Sequence, residues 1–345
     1  MKILVAGDFA HQIYEPDFCA GLRECGAVVS EFRALALFGP TDLLRRAQSK
    51  LLVGPGIALA NAALIAKCLR EKPDVVLCWR TCWLHSATIR AMRLAGAQRV
   101  VLYNNDDPFG PDREALRWRR FRRLIPAADL CFAYRRANLS EYREAGAREV
   151  KLLRSWYRRE VHHPVALSAA DHARFDCDVV FVGHCEPDER LDLMDALLAS
   201  GLNVKLFGTD WQAHARGRRW ERMKIEPVIG ADYVKAIAAA KVAVVFLSRR
   251  NRDQYTRRCF EIPAIGTPML APRTQEMQAL FAERSEVALY ASAEELLATA
   301  RALISDPSRR ERMSAAAHAR AVHDGYDVVG RARQFLADLE GADLR

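Results

Sequence analysis

Short runs of consecutive apolar residues, rich in valine, alternate along the chain with segments of helical period. The first series is KILVAGD (2–8), AVVSEF (27–32), DVVLCWR (74–80), RVVLYNND (99–106), DLCFAYR (129–135) and VKLLRS (150–155). The second is CDVVFVGH (177–184), NVKLFG (203–208), EPVIG (226–230), VAVVFLS (242–248), TPMLA (267–271) and VALYA (287–291). Runs of this kind are strands buried on both faces, as in a parallel sheet with helices on each side. The pattern therefore predicts an α/β chain of two Rossmann-like, doubly wound domains facing a cleft. Their bounds are 1–160 and 177–325. The polar, aperiodic stretch 161–176 is expected to be the linker between them. Ser292 with Glu295, and Ser308 with Glu311, fit capping boxes opening two successive helices. A last helix around VVGRARQFLADLE, within 326–345, closes the chain and is expected to pack back on the N-terminal domain.

In open parallel sheets, ligands bind beyond the carboxyl ends of the strands. The informative residues are therefore those just after each run: Asp8 to His11, Arg80 to His85 and Asn104 to Asp107 in the first half. In the second half they are Gly183 to Arg190, Gly208 to Trp211, Ser248 to Arg258 and Pro272 to Thr274. Such a cleft would be lined by arginine, aspartate and histidine.

Composition narrows the partners. The 345 residues are 50% hydrophobic and 28% charged, enough apolar material for two cores. The formal net charge of +9 favours an anionic partner. The nine cysteines include no CxxC pair, which argues against a disulfide framework or a zinc site and fits a reducing cytosol. The N-terminal MKILVAGD reads directly as a strand, with no signal-peptide pattern, so a cytoplasmic location is expected. There is no GxSxG, P-loop or HExxH, and VAGDFAHQ lacks the GxGxxG of a dinucleotide site.

One stretch breaks a local rule. In DQYTRRCFEIPAIGTPMLA (253–271), Arg257, Arg258 and Glu261 fall three and four apart, and a proline, Pro263, follows inside the helical pattern. Rule-breaking of this kind marks functional or strained sites. In a nucleotide site, a helix N-terminus and guanidiniums hold a diphosphate while a carboxylate takes two ribose hydroxyls. The plainer alternative is a surface ion pair worth a few tenths of a kcal/mol (order of magnitude). The GHCEPDER turn adds Gly183, where the backbone can approach a ligand, and Arg190, opening the next helix. NNDDPFG places Asp106 and Asp107 at a strand end, as a base or orienter of an acceptor hydroxyl or as a helix cap. His11 is a further candidate for acceptor contact.

The same stretch, with VALYASAEELLATARALISDPSRRERMSAAAHARA downstream, resembles the C-terminal half of CgeB-like glycosyltransferases, a GT-B family of spore-maturation and surface-polysaccharide enzymes. The matching positions are Thr256, Arg258, Phe260, Glu261, Pro263, Ala264 and Gly266, then Glu294 and Glu295, then Asp306, Pro307, Arg310 and Met313. DVVFVGHCEPDER and VKLFGTDW are similar to the family's first two C-domain strands. The resemblance covers 177–333 well and 1–160 weakly. It implies transfer of a sugar from a nucleotide-sugar to a hydroxyl acceptor, with retention and without a metal or other cofactor. By the same resemblance Glu261 binds the ribose, and Pro263 is a family feature expected to break the helix near the nucleotide. Asp253 stands where the family often carries a second glutamate, toward the donor sugar. Taken with the strand-end candidates, the expected donor set is Glu261, Arg258, Arg257, Arg190, Gly183, Asp253 and Thr256, and the acceptor-side candidates are Asp107, Asp106 and His11. The acceptor would be a glycan, a lipid-linked molecule or a small molecule; no nucleic-acid-binding pattern is present. Rivals are a nucleotide-sugar epimerase of the same fold and a degenerate sugar- or partner-binding module.

REALRWRRFRRLIP adds Arg113, Arg117, Arg119, Arg120, Arg122 and Arg123 around Leu116, Trp118, Phe121 and Leu124. Its first reading is a solvated basic face over a core-facing stripe. Its second is peripheral contact of 113–124 with the inner face of an anionic membrane.

Overall fold

The computed structural model describes residues 1–341. The chain forms two compact units: Met1–Arg154 together with the segment from Val328 onward, and Ser155–Asp327.

The first unit holds strands β1 (Lys2–Gly7), β2 (Val28–Arg33), β3 (Val75–Trp79), β4 (Arg99–Asn104), β5 (Leu130–Ala133) and β6 (Val150–Leu152). They form one parallel sheet in the order β2-β1-β3-β4-β5-β6. Its helices are α1 (Glu15–Glu24), α2 (Asp42–Leu51), α3 (Pro55–Glu71), α4 (Ser86–Leu94), α5 (Leu116–Arg122) and α6 (Asn138–Glu144). Every residue of β3 is buried, as an apolar run covered on both faces should be. The order reverses at β1/β3, so the loops after these strands flank the topological switch point.

The second unit holds β7 (Cys177–Val182), β8 (Val204–Phe207), β9 (Ala240–Val244), β10 (Met269–Pro272) and β11 (Ala288–Tyr290). They pair in parallel in the order β11-β10-β9-β7-β8. Its helices are α7 (Ala169–Phe175), α8 (Arg190–Ala199), α9 (Ala231–Ala238), α10 (Arg258–Ile265), α11 (Gln275–Leu280), α12 (Ala293–Ser305) and α13 (Pro307–His323).

The last helix, α14 (Val328–Glu340), packs on α1 of the first unit. Gly21 permits this, because a β-carbon there would lie 2.9 Å from the Val328 carbonyl oxygen. Phe335 meets Phe18 edge-on at 5.4 Å, and Gln334 donates to the Leu152 carbonyl at 2.8 Å.

Four expectations are revised. EPVIG is no strand: Pro227 has no N–H to add to the β8 edge, and only the Glu226 carbonyl bonds across, to Gly208 N at 3.1 Å. The stretch 161–176 is part of the second unit and not a free linker: α7 opens with a Ser168–Asp171 capping box, and Lys235 holds Asp171 at 2.9 Å. Asp306, rather than Ser308, caps α13, accepting from Arg309 N at 2.9 Å, because Pro307 already occupies the first helical position. Pro263 does not break α10; the helix runs two residues further and stops at Gly266, whose φ of +88° supplies the left-handed cap.

All nine cysteines are free thiols. Burial pushes those of Cys19, Cys131 and Cys177 up to about 12, so they act as small apolar groups.

Candidate functional site

In the second unit, the carboxyl end of β7 is built by two glycines. Gly183 N donates to the Phe207 carbonyl at 2.8 Å, and Gly183 O accepts from Trp211 Nε1 at 2.8 Å. Gly208 has φ +147° and passes so close that a β-carbon on it would lie 1.9 Å from Gly183 O. A β-carbon on Gly183 in turn would meet Arg258 Nη2 at 2.4 Å. Arg258 is the first residue of α10, and its guanidinium lies over the Phe181 ring at 5.6 Å. Its Nε–H is buried and donates to no protein acceptor. An unpartnered guanidinium, a helix N-terminus and a bare glycine meet at one strand end, which is the chemistry that holds phosphate oxygens.

One turn into α10, Glu261 is only 6% exposed. Its Oε1 accepts from Arg257 Nε at 2.5 Å and faces His162 Nε2 at 3.5 Å; its Oε2 accepts from the Tyr233 hydroxyl at 2.5 Å. Burial pushes the carboxyl up, but Arg257 beside it, with His162 and Tyr233, outweighs that and holds it below the usual range. Burial likewise depresses His162, which Glu261 only partly offsets. The Arg158 N–H donates to His162 Nδ1 at 3.0 Å, so the neutral ring carries its proton on Nε2, toward Glu261. Oε1 thus faces two donors already, whereas Oε2 keeps a second lone pair for a further one.

The remaining expected donor residues divide. Thr256 shapes the entry to α10, its carbonyl accepting from Cys259 N at 3.0 Å. Asp253 follows Arg252, which has φ +48°, and its N–H donates to the Ser248 carbonyl at 2.9 Å, so it lies in the loop leading to α10. Arg257 is an intramolecular partner of Glu261. Arg190 is buried and bonded to Asp188 through Nε and Nη2, to the His184 carbonyl and to the Leu247 carbonyl. It braces the turn and is not presented to a phosphate. Sequence reasoning passed over Glu186, which accepts from Ser248 Oγ at 2.6 Å and His184 Nε2 at 2.9 Å. Burial raises it, yet these bonds and Arg190 bring it down to about 2. It also passed over His162 and Tyr233, whose places 99 and 28 residues before Glu261 carry no sequence signal.

In the first unit the strand ends gather a different set. Arg80, in the left-handed region at φ +51°, follows β3 and pairs with Asp106 at 3.0 Å. Asp8 follows β1. Burial pushes its carboxyl up, and the positive charge of Arg80 only partly counters this. Its Oδ1 has no hydrogen-bond partner. Glu15, 3% exposed, lies over Gly7, where a β-carbon would be 2.8 Å from its Oε1, and burial raises its carboxyl too. Asp107 is not part of this group. It is buried, and its Oδ1 accepts from Phe109 N and Asn138 Nδ2, each at 3.0 Å, so it fixes the loop. His11 is exposed and meets Tyr14 edge-on at 6.1 Å. Asp106 and Asp8 thus lie in this group with Arg80, whereas Asp107 and His11 lie outside it. Among the described residues, no group of three or more His, Cys, Asp or Glu side chains is placed to hold a metal ion.

The arginine-rich helix α5 follows its first reading. Trp118 and Phe121 are buried in the core, Arg117 stacks on Trp118 at 4.6 Å, and Arg122 donates to the Pro108 and Arg113 carbonyls at 2.8 and 2.6 Å. Arg119 and Arg123 stay exposed, but the aromatic rings that would hold 113–124 on a membrane face inward.

Residues 190–337 match the family described as glycosyl transferase-like. No curated protein sequence matches the chain. Among solved structures, Anabaena HepE in complex with UDP-glucose is 15% identical, with 99% of each chain covered and a TM-score of 0.69. Sucrose-phosphate synthase from Thermosynechococcus elongatus is 15% identical over 99% of this chain and 100% of that one, TM-score 0.69. A glycosyltransferase from Rickettsia africae is 12% identical over 99% and 98%, TM-score 0.66. The chain therefore has the GT-B glycosyltransferase fold, two parallel-sheet units in succession, and its second unit carries the glycosyl transferase-like match.

Proposed function

We propose that this GT-B chain is a glycosyltransferase whose second unit holds a nucleotide-sugar and whose first unit holds the hydroxyl of an acceptor. The observation that carries this is Arg258, with its buried, unpartnered Nε at the first turn of α10, seated against a glycine whose missing side chain leaves room for the guanidinium. Arg258 and the α10 N-terminus take the diphosphate, and the Oε2 of Glu261 takes a ribose hydroxyl. UDP is the first nucleotide to test, because HepE is a structural neighbour solved with UDP-glucose.

In the reaction, the bond between the anomeric carbon and the diphosphate oxygen breaks, and its electron pair leaves with the nucleoside diphosphate. The acceptor oxygen bonds to the anomeric carbon and its proton is released. Arg258 stabilises the charge growing on the departing diphosphate without reorganising, which is the usual largest contribution to catalysis. Asp8, with an unpartnered oxygen, accepts the hydrogen bond of the acceptor hydroxyl and orients it, and Asp106 positions Arg80 beside it. Retention, independence from metals, a cytoplasmic site of action and a role in glycan or glycoconjugate synthesis extend the family resemblance.

The test is release of nucleoside diphosphate from UDP-, GDP-, ADP- and dTDP-sugars, with and without an acceptor panel. Acceptor-dependent release supports transfer. Interconversion of the sugar with no acceptor would identify an epimerase, and binding without turnover a degenerate module.

A further inference from the structure

Helix α2 is amphipathic the wrong way round for a helix of a folded domain. None of its residues is buried. The side that faces the protein is polar: Gln48 donates to the Phe38 carbonyl at 2.5 Å and accepts from Gly56 N at 2.8 Å, and Arg45 donates to the Gly39 carbonyl at 3.1 Å. The side that faces away is apolar. Leu43 is 78% exposed, Leu44 47% and Leu51 57%, and Val53 and Leu59 continue the exposed series at 52% and 53%. With one turn every 3.6 residues, Leu43, Leu44, Ala47 and Leu51 share roughly 100° of arc. An ordinary surface helix turns such a stripe inward.

The edge of the stripe is cationic. Arg46 and Lys50, three and seven residues after Leu43, are exposed and have no ion-pair partner among the described residues. The one acid of the helix, Asp42, is paired with Arg45 at 2.5 Å. Thr41 caps the helix, accepting from Leu44 N at 3.3 Å, so the stripe is formed before any partner arrives. Among the described residues no single helix is long and apolar enough to span a membrane. Helices α2 and α3 reach that apolarity only together, bent by 79° at their junction.

We propose that the outer face of α2, continued by Val53 and Leu59, docks this protein on an anionic lipid bilayer. The leucines enter the acyl boundary while Arg46 and Lys50 meet headgroup phosphates, the arrangement that suits an interfacial helix. Charge selects this occupant over a second copy of the chain, since each copy carries +9. The docking belongs to α2 and not to the arginines of α5, whose aromatic residues are buried and which present one exposed large apolar side chain, Leu116, where α2 and its continuation present five. It stands independently of the donor chemistry.

The experiment is vesicle co-sedimentation of the full chain with mixed phosphatidylglycerol–phosphatidylcholine vesicles and with phosphatidylcholine alone, at low and high salt. Wild type should pellet with the anionic vesicles, less so at high salt, and weakly with the neutral ones. The double substitution Leu43→Ser/Leu51→Ser should weaken binding about tenfold or more, as should Arg46→Gln/Lys50→Gln. Arg119→Gln/Arg123→Gln should leave it unchanged. All four α2 side chains are exposed, so circular dichroism should show each variant folded; the charge variant decides the matter if the serine variant is not. Wild type remaining in the supernatant, or α2 variants binding like wild type, overturns the proposal. So does an oligomer of wild type that the serine substitutions dissolve, which would place a second copy on this face.

Discussion

The guanidinium of Arg258 occupies the space that a side chain on Gly183 would need, with Nη2 2.4 Å from an ideal β-carbon there. The two residues lie 75 positions apart in sequence, at the ends of β7 and the start of α10. Gly183→Ala should therefore push Arg258 out of place. The obstructing atoms are the far ends of two side chains, Arg258 and Phe181, so the fold should tolerate the change within ~1 kcal/mol. Loss of a charge-assisted contact of roughly 1.5–3 kcal/mol should weaken nucleoside diphosphate about tenfold to a hundredfold. Isothermal calorimetry beside a thermal melt separates the two effects. Unaltered affinity in a folded variant would remove Gly183 from the site.

Glu261 gives a second expectation. Glu261→Ala deletes the ribose acceptor and also strands Tyr233, His162 and Arg257 around a hole. Affinity for the nucleotide should fall by about tenfold or more, and the melting temperature should fall too. Glu261→Gln keeps the shape, so it should recover stability more than affinity. Equal recovery of both would make Glu261 a structural residue only.

Asp8 should trade activity against stability. Burial raises its carboxyl, so the native state resists the charge that the unfolded chain accepts readily. The sign is that of a raised carboxyl: its stabilising contribution is present below the unfolded pKa and is lost as pH rises through the folded one. Asp8→Asn should then gain stability over wild type as pH rises from 4 to 8. For a domain of this size ~1 kcal/mol is worth roughly 2–4 °C. Transfer should fall by about tenfold to a hundredfold, with the nucleotide bound as tightly as before. Melts across pH and calorimetry report these independently. A variant that is both fully active and no more stable at pH 8 would contradict the role.

His162 and Glu261 act on stability in the opposite direction. Both are depressed in the folded chain, so their contribution is complete above their unfolded values and is lost as pH falls through the folded ones. The melting temperature should decline between pH 7 and pH 4, and His162→Gln should flatten the upper part of that decline. A variant that melts with the wild-type pH profile would detach His162 from Glu261.

Turnover should survive thorough chelation with EDTA, since Arg258 and a helix end supply the positive charge that a metal would otherwise bring to the diphosphate. Activity that vanishes and returns with manganese or magnesium would overturn this.

The chain's pattern made its strands readable because a parallel sheet buried on both faces needs unbroken apolar runs, and β1 through β6 all lie where those runs occur. It failed at EPVIG, where an apolar run holding Pro227 is half-buried without pairing: Val228 is 7% exposed and Ile229 82%. The site was readable only where residues are neighbours in sequence, as in TRRCFE. The pairing of Arg80 with Asp106, the Tyr233 hydroxyl on Glu261 and the internal use of Arg190 arise from contacts between distant segments, which no local spacing encodes. Asp107 misled for the same reason, since Asn138, its partner, lies 31 residues away.

Whether the second unit holds a nucleoside diphosphate through Arg258 is decided by calorimetric titration of UDP, GDP, ADP and dTDP into wild type and Arg258→Gln in the presence of EDTA. At least one of them should bind wild type, and the substitution should weaken it about tenfold or more while the melting temperature of the free protein changes little. Binding of none of the four to wild type, or equal affinity in Arg258→Gln, would contradict it.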